Sequence, residues 1–325
     1  MTAPSAAVVG RVTVRPDPRD VVARMGVWVA LLVTLVVGVI AVPNFATAAN
    51  ADAILRQAAV LGVVALGQTF VVLTGGIDLS VGMLMGLVTV LANGIMAGDP
   101  GLMVPVLLVA LVCGLLTGLA NGLGITLARV DPLIVTLAML SVLQGAIFLY
   151  TDRTVGSAPA AFRELAYGSI GPVPMPALVL GLLAVACWVV LTRTPFGRYV
   201  YALGSDPLNA RRAGIPVDRV RLAAYVMCSL LAAVAGLLLA ARLGSGFTGA
   251  GAGFELSSIV AVVVGGTALS GGRGGVTGTI AAVLLLTILS TMLNLLGVSP
   301  FAQRVINGVV IVVAVAVYTS RRREA

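Results

Sequence analysis

Very few side chains in this sequence could do chemistry. Its 325 residues include twelve acids, twenty basic residues and no histidine. The side chain that titrates near neutral pH, also the commonest metal ligand, is therefore missing. The nine aspartates and three glutamates are scattered, and the one Asp-x-x-Asp spacing, Asp17 to Asp20, lies in the N-terminal tail outside every apolar run. That argues against a membrane prenyl or acyl transferase, which needs an acid cluster for a metal ion or a histidine base. Cys113, Cys187 and Cys228 each stand alone in an apolar run, so neither a disulfide framework nor a zinc site is expected. No Gly-x-x-x-x-Gly-Lys-Ser/Thr phosphate loop occurs, and the Gly272-Arg273-Gly274-Gly275 turn lacks its lysine. One acid stands apart. Asp78 lies well inside an apolar stretch, in Thr74-Gly75-Gly76-Ile77-Asp78-Leu79-Ser80-Val81-Gly82, whereas Glu255 is placed near the outer end of a run. An ionisable residue at such a break reads as functional. The plainer reading is that Asp78 or Ser80 caps the helix that follows; both can hold.

The elements that must position these residues follow from composition. The chain is 59% hydrophobic and 10% charged, with a mean hydropathy of +1.11; a soluble domain carries about 25% charged residues. Lipid is the solvent this surface requires. A membrane span needs about 20 apolar residues. Charge-poor runs of that kind are found at 25–43, 57–77, 80–97, 102–128, 132–150, 175–192, 222–241, 256–272, 275–296 and 303–319. The third and eighth are short and glycine-rich. The first is too long for the apolar core of a signal peptide, despite Ala46-Thr47-Ala48 at its end, and is read as an uncleaved span.

Every basic residue is arginine. With the N-terminus inside, the cytoplasmic segments hold Arg11, Arg15, Arg19, Arg24, Arg129, Arg193, Arg198, Arg211, Arg212, Arg219, Arg221, Arg273 and Arg321 to Arg323. The outer segments hold only Arg56, Arg153, Arg163, Arg242 and Arg304. This asymmetry sets the orientation and explains the net charge of +8 without a nucleic-acid partner. The predicted fold is an all-α integral membrane bundle of about ten transmembrane helices with both termini cytoplasmic. A cytoplasmic tail at 1–24 precedes a membrane domain at 25–319, and a short tail at 320–325 follows it.

Two glycine breaks interrupt the helical pattern. Leu73 to Gly82 aligns with Val263 to Gly272 at an offset of 190, pairing Gly75 with Gly265, Gly76 with Gly266 and Ser80 with Ser270. Paired glycine-broken segments in two halves of a transporter point to its translocation site, because glycine lets the chain leave helical geometry and turn main-chain groups toward a polar solute. Thr74, Gly75, Gly76, Asp78, Ser80, Gly265, Gly266 and Ser270 are the candidate pathway residues. Close helix packing is the alternative use of such glycines. Asn121, Thr136, Gln144 and Asn294 are further candidates by polarity alone.

The one substantial cytoplasmic loop, 193–221, contains a helix-start signal at Asp206-Pro207 and a stop signal at Gly214 followed by Pro216. The short helix between them suits docking on a partner; a plain basic loop is the alternative. Its candidate contact residues are Asp206, Pro207, Asn209, Ala210, Arg211, Arg212 and Gly214.

Four segments carry a family resemblance: Thr74 to Gly82, Pro132-Leu133-Ile134-Val135-Thr136-Leu137, Gly197-Arg198-Tyr199-Val200-Tyr201-Ala202-Leu203-Gly204, and Asn209-Ala210-Arg211-Arg212-Ala213-Gly214-Ile215. In type and order they resemble the permease subunits of ribose/xylose-type ATP-binding-cassette (ABC) sugar importers, with branched-chain amino-acid permeases as more distant relatives. The resemblance runs from about residue 50 to the end. It implies a transport subunit, not an enzyme, in the bacterial inner membrane. It also implies a second permease copy, a periplasmic sugar-binding protein that hands over a monosaccharide, and a cytoplasmic ATPase that holds ATP and magnesium and grips the 206–214 helix. No cofactor is expected on this chain. An ion-coupled secondary transporter is the alternative, disfavoured because Asp78 is the only acid well inside an apolar run.

Overall fold

The computed structural model describes residues 18–299, with isolated positions up to 308. Apart from those isolated positions, the predicted span 303–319 lies outside the described residues, as do most of the N-terminal tail and the C-terminal tail. Apolar helices form where charge-poor runs were found: α1 (Pro18–Ala41), α2 (Ala48–Leu73), α3 (Val81–Met96), α4 (Met103–Thr126) and α5 (Pro132–Tyr150). After α6 (Ala160–Tyr167) and a hairpin of β1 (Ser169–Ile170) and β2 (Val173–Pro174) come α7 (Met175–Arg193), α8 (Pro195–Ser205) and α9 (Pro207–Arg212). The described part ends with α10 (Val217–Leu243), α11 (Phe254–Val264) and α12 (Val276–Leu295). Among the described residues six helices are long and apolar enough to cross a bilayer, namely α2, α4 with its preceding turn, α5, α7, α10 and α12. Three predicted spans in this region remain: α3 has 16 residues, α11 has 11, and α1 contributes the shorter apolar stretch Gly26–Ala41.

Burial orders these helices. The most apolar windows of α2 and α10 are 72% and 67% buried, against 17% for α5 and α7. Thus α2 and α10 form the centre, and α4, α5 and α7 turn leucine and valine outward, including Leu108, Leu149 and Leu182. Apolar attraction cannot hold helices together in lipid, so close backbone approach must. Gly114, Gly118 and Gly122 recur every fourth residue on one face of α4 and lie against the main chain of α10 at Ser229–Leu230, Val226 and Leu222. Polar side chains add ties: the Thr69 and Thr279 hydroxyls join α2 to α12 at 2.9 Å, and Asn93 Nδ2 donates to Ala240 O at 3.4 Å.

At the end of the bundle opposite α9, Arg56 pins the 151–174 segment to α2. Its guanidinium takes Asp52 in a two-point bridge (2.6 and 2.9 Å) and donates to Ala166 O, Gly168 O and Ser169 Oγ. A planar fork makes all these bonds at once; an ammonium group cannot. Arg56→Ala is therefore expected to cost about 1.5–3 kcal/mol of stability, and Arg56→Lys to restore little of it. Faster cleavage within 151–174 by protease added from that side, with a lower melting temperature in detergent, would check this.

Candidate functional site

Both glycine breaks are built as helix stops of one design. At the end of α2 the Gly75 N–H donates to Val72 O (2.9 Å) and the Gly76 N–H to Val71 O (3.1 Å), with Gly75 in the left-handed region at φ +79°. At the end of α11 the Gly266 N–H donates to Val263 O (2.9 Å) and the Thr267 N–H to Val262 O (3.1 Å), with Gly266 at φ +85°. These are paired Schellman caps, which need a residue free to adopt positive φ. The equivalent positions are Gly75 and Gly266, an offset of 191. The alignment of Gly75 with Gly265 at 190 is therefore one residue out of structural register. Side-chain identity favours 190, but cap geometry is set by main-chain hydrogen bonds, and Gly265 at φ −67° matches Thr74 at φ −84°.

After the first cap the chain runs from Gly76 to Ser80 without helical hydrogen bonds, and neighbouring helices supply the partners. The amide of Gln68 on α2, oriented to satisfy both atoms, donates to Asp78 O (3.2 Å) and accepts from the Asp78 N–H (3.1 Å). Asp78 Oδ1 accepts from the Ser80 N–H (2.9 Å) and hydroxyl (2.6 Å). Asn121 Nδ2 on α4 donates to Ser80 Oγ (2.9 Å) and Asp78 Oδ2 (3.4 Å). The hydroxyls of Thr136 on α5 and Tyr225 on α10 both donate to Ile77 O at 3.4 Å. Gln68, Asp78, Ser80, Asn121, Thr136 and Tyr225 all have zero exposure. Four helices thus converge on one unwound strand of backbone. Asp78 caps and ties; in this conformation it faces no opening.

The other expected residues separate by exposure. Thr74, Gly76 and Gly265 are buried, Gly266 is partly exposed, and Gly75 and Ser270 are exposed. Gly75 lies against Ser270: a Cβ there would be 3.4 Å from Ser270 O. The two breaks therefore touch. Gln144 and Asn294 are exposed, and Asn294 accepts from Gln303 at 2.7 Å.

Glu255 does stand in the first turn of α11, at the end of its apolar run, but sequence gives no sign that this end lies beside the start of α3. The segment after α10 does not stay at the end of the bundle. Gly246 lies against Val90, while Gly251 lies against Gly82 and Gly86, so the chain descends along α3 toward its first turn. That descent is roughly 6–12 Å. It brings α11 to its start beside Gly82, about 20 Å along α3 from its Met96 end. The Glu255 carboxylate rests on Gly82 and accepts from the Gly253 N–H at 3.0 and 3.1 Å. It is partly exposed, next to exposed Ala252, Gly253, Leu256 and Ser257. The available signal was the glycine-dense run Gly244 to Gly253 combined with a short following helix; an unusually short, glycine-interrupted segment is itself a pointer to a site.

The α9 helix forms as its signals predict. Asp206 caps it by accepting from the Leu208 and Asn209 N–H groups at 2.9 and 3.0 Å, with Pro207 in the first turn. Gly214 at φ +80° ends it, and Ile215 N donates to Ala210 O at 3.1 Å. Ala210 is turned inward at 5% exposure, while Leu208 is 60% exposed beside Asn209, Arg211 and Arg212.

A helical membrane bundle with two glycine-broken spans that meet is the architecture of a membrane transport protein. Comparison with known proteins makes this specific. Residues 50–315 match the family described as branched-chain amino acid transport system / permease component, and the chain belongs to that family. It is 41% identical to a ribose import permease of Bacillus subtilis over 300 residues, covering 91% of this chain and 92% of the relative. It is 39% identical to a ribose import permease of Escherichia coli K12, covering 89% and 91%. A fructose import permease of Rhizobium meliloti is 37% identical, covering 89% and 83%. No solved structure matches the chain. The protein is thus an ABC-importer permease subunit, a transport component of the bacterial inner membrane and not an enzyme, working with a separate ATPase and a periplasmic binding protein. The ion-coupled and transferase readings fall away.

Proposed function

We propose that this permease carries a monosaccharide through a pathway formed with a second copy of itself, spanning the membrane ten times with both termini and α9 in the cytoplasm. The membrane domain is 25–319 on this reading, with tails at 1–24 and 320–325. The sugar import permeases among its relatives support the substrate class. The observation that carries the pathway is Glu255: a partly exposed carboxylate about 20 Å below one end of α3 cannot face lipid at low cost. The exposed amide of Gln144 on the largely apolar α5 makes a similar, weaker demand. A second copy facing these surfaces across a polar channel satisfies both. Glu255 then accepts hydrogen bonds from sugar hydroxyls, while the breaks carrying Thr74, Gly75, Gly76, Asp78, Ser80, Gly265, Gly266 and Ser270 form the wall that moves. ATP and magnesium act on the ATPase.

The test is uptake by cells expressing this chain with its neighbouring ATPase and binding protein. Ribose, fructose, galactose and leucine serve as probes. Uptake of a sugar but not leucine is expected; uptake of leucine alone would overturn the substrate class. Docking has its own check. Leu208→Glu places a charge on the exposed apolar tip of α9 and keeps the main-chain N–H that Asp206 caps, so the helix survives. The ATPase should no longer co-purify, and equal co-purification would remove α9 from the interface.

A further inference from the structure

Three main chains meet in van der Waals contact at the base of the bundle. The Gly272 N–H donates to Leu73 O at 3.0 Å, joining the second break to the end of α2 beside the first. Gly204, near the end of α8, sits directly over that bond: a Cβ there would overlap both Leu73 O and Gly272 N. A Cβ on Gly271 would lie 2.8 Å from Gly75 N and 2.9 Å from Gly204 Cα, and one on Gly272 would lie 2.8 Å from Ser205 Cα. The Tyr201 hydroxyl donates to Gly274 O at 3.0 Å from the same side of α8. Directly after this contact, Asp206 ends α8, with its N–H donating to Ala202 O, and caps α9. Only Ser205 and Asp206 separate Gly204 from the first residue of α9.

We propose that Gly204 is a positioning residue through which displacement of α9 moves both glycine breaks as one unit. This rests on the reading of α9 as the ATPase dock. The geometry requires the absence of a side chain: α8 can press on the hydrogen bond between the breaks only with no atom beyond Cα. A methyl group would wedge donor from acceptor and let one break move without the other. Helix packing alone would make Gly204 matter for stability; coupling makes it matter for the ratio of sugar moved to ATP spent.

Gly204→Ala and Tyr201→Phe test this in the assembled transporter. The Phe variant removes the Tyr201–Gly274 hydrogen bond from the junction without adding bulk. The readouts are ATPase co-purification, basal ATP hydrolysis, its stimulation by sugar-loaded binding protein, and uptake of whichever of ribose, fructose and galactose the wild type imports. Both variants are expected to retain the ATPase and its basal turnover. Sugar moved per ATP should fall about tenfold in Gly204→Ala and about threefold in Tyr201→Phe. An unchanged ratio in Tyr201→Phe, or ATPase loss from both variants, would overturn the proposal. The Leu208→Glu result separately decides whether α9 docks at all. Should Gly204→Ala not assemble, Tyr201→Phe carries the decision.

Discussion

Glu255→Ala is expected to lower sugar uptake by at least about tenfold while leaving the folded yield and melting temperature close to wild type. A hydrogen bond to a charged group is worth about 1.5–3 kcal/mol, and each 1.4 kcal/mol is a factor of about ten. Among the described residues the side chain's hydrogen-bond partner is the Gly253 N–H, in a partly exposed turn, so the fold loses little when it is removed. Its loss from a pathway is different, because the other acid near Gly82, Asp78, is buried and faces no opening. Glu255→Gln keeps one acceptor oxygen and should retain intermediate uptake. Normal uptake by the alanine variant would take Glu255 off the pathway and leave it as a cap for the start of α11.

Asp78→Ala should act the other way, through the fold. Removal of its carboxylate leaves the Ser80 N–H, the Ser80 hydroxyl and one contact of the Asn121 amide without an acceptor, at positions with no exposure. Each buried group so orphaned costs about 1–3 kcal/mol, and a total of at least about 3 kcal/mol is expected. Folded yield and melting temperature in detergent should fall together with uptake. Asp78→Asn, which keeps an oxygen near Ser80, should recover much of the stability. A stable Asp78→Ala protein that fails only in transport would instead restore this residue to direct solute contact.

These two acids mark where reading the sequence stops being enough. Both sit in glycine-rich interruptions of apolar runs, and sequence ranks Asp78 first because more apolar residues flank it. Depth along a bilayer is not a property of flanking residues alone. Asp78 is buried because Gln68, Asn121, Thr136 and Tyr225 arrive from four helices, three of them distant in the chain. Glu255 lies beside Gly82 because the chain from Gly246 to Gly251 folds back along α3, and a glycine-dense segment reads locally like any surface turn.

Hydropathy and local hydrogen bonding account for everything that could be read from the chain alone. Charge-poor runs became the apolar helices of the described region, since lipid leaves main-chain groups no partner outside a helix. Asp206-Pro207 and Gly214 bound α9 because caps act within a few residues. The two stops at Gly75 and Gly266 were legible as a pair for the same reason, though their register was not. Packing settled the rest: which acid is buried, that the two breaks touch, and that Gly204 lies on the bond joining them. Each of these depends on residues far apart in sequence brought within a few ångströms, where the fit of helices against one another sets the distance.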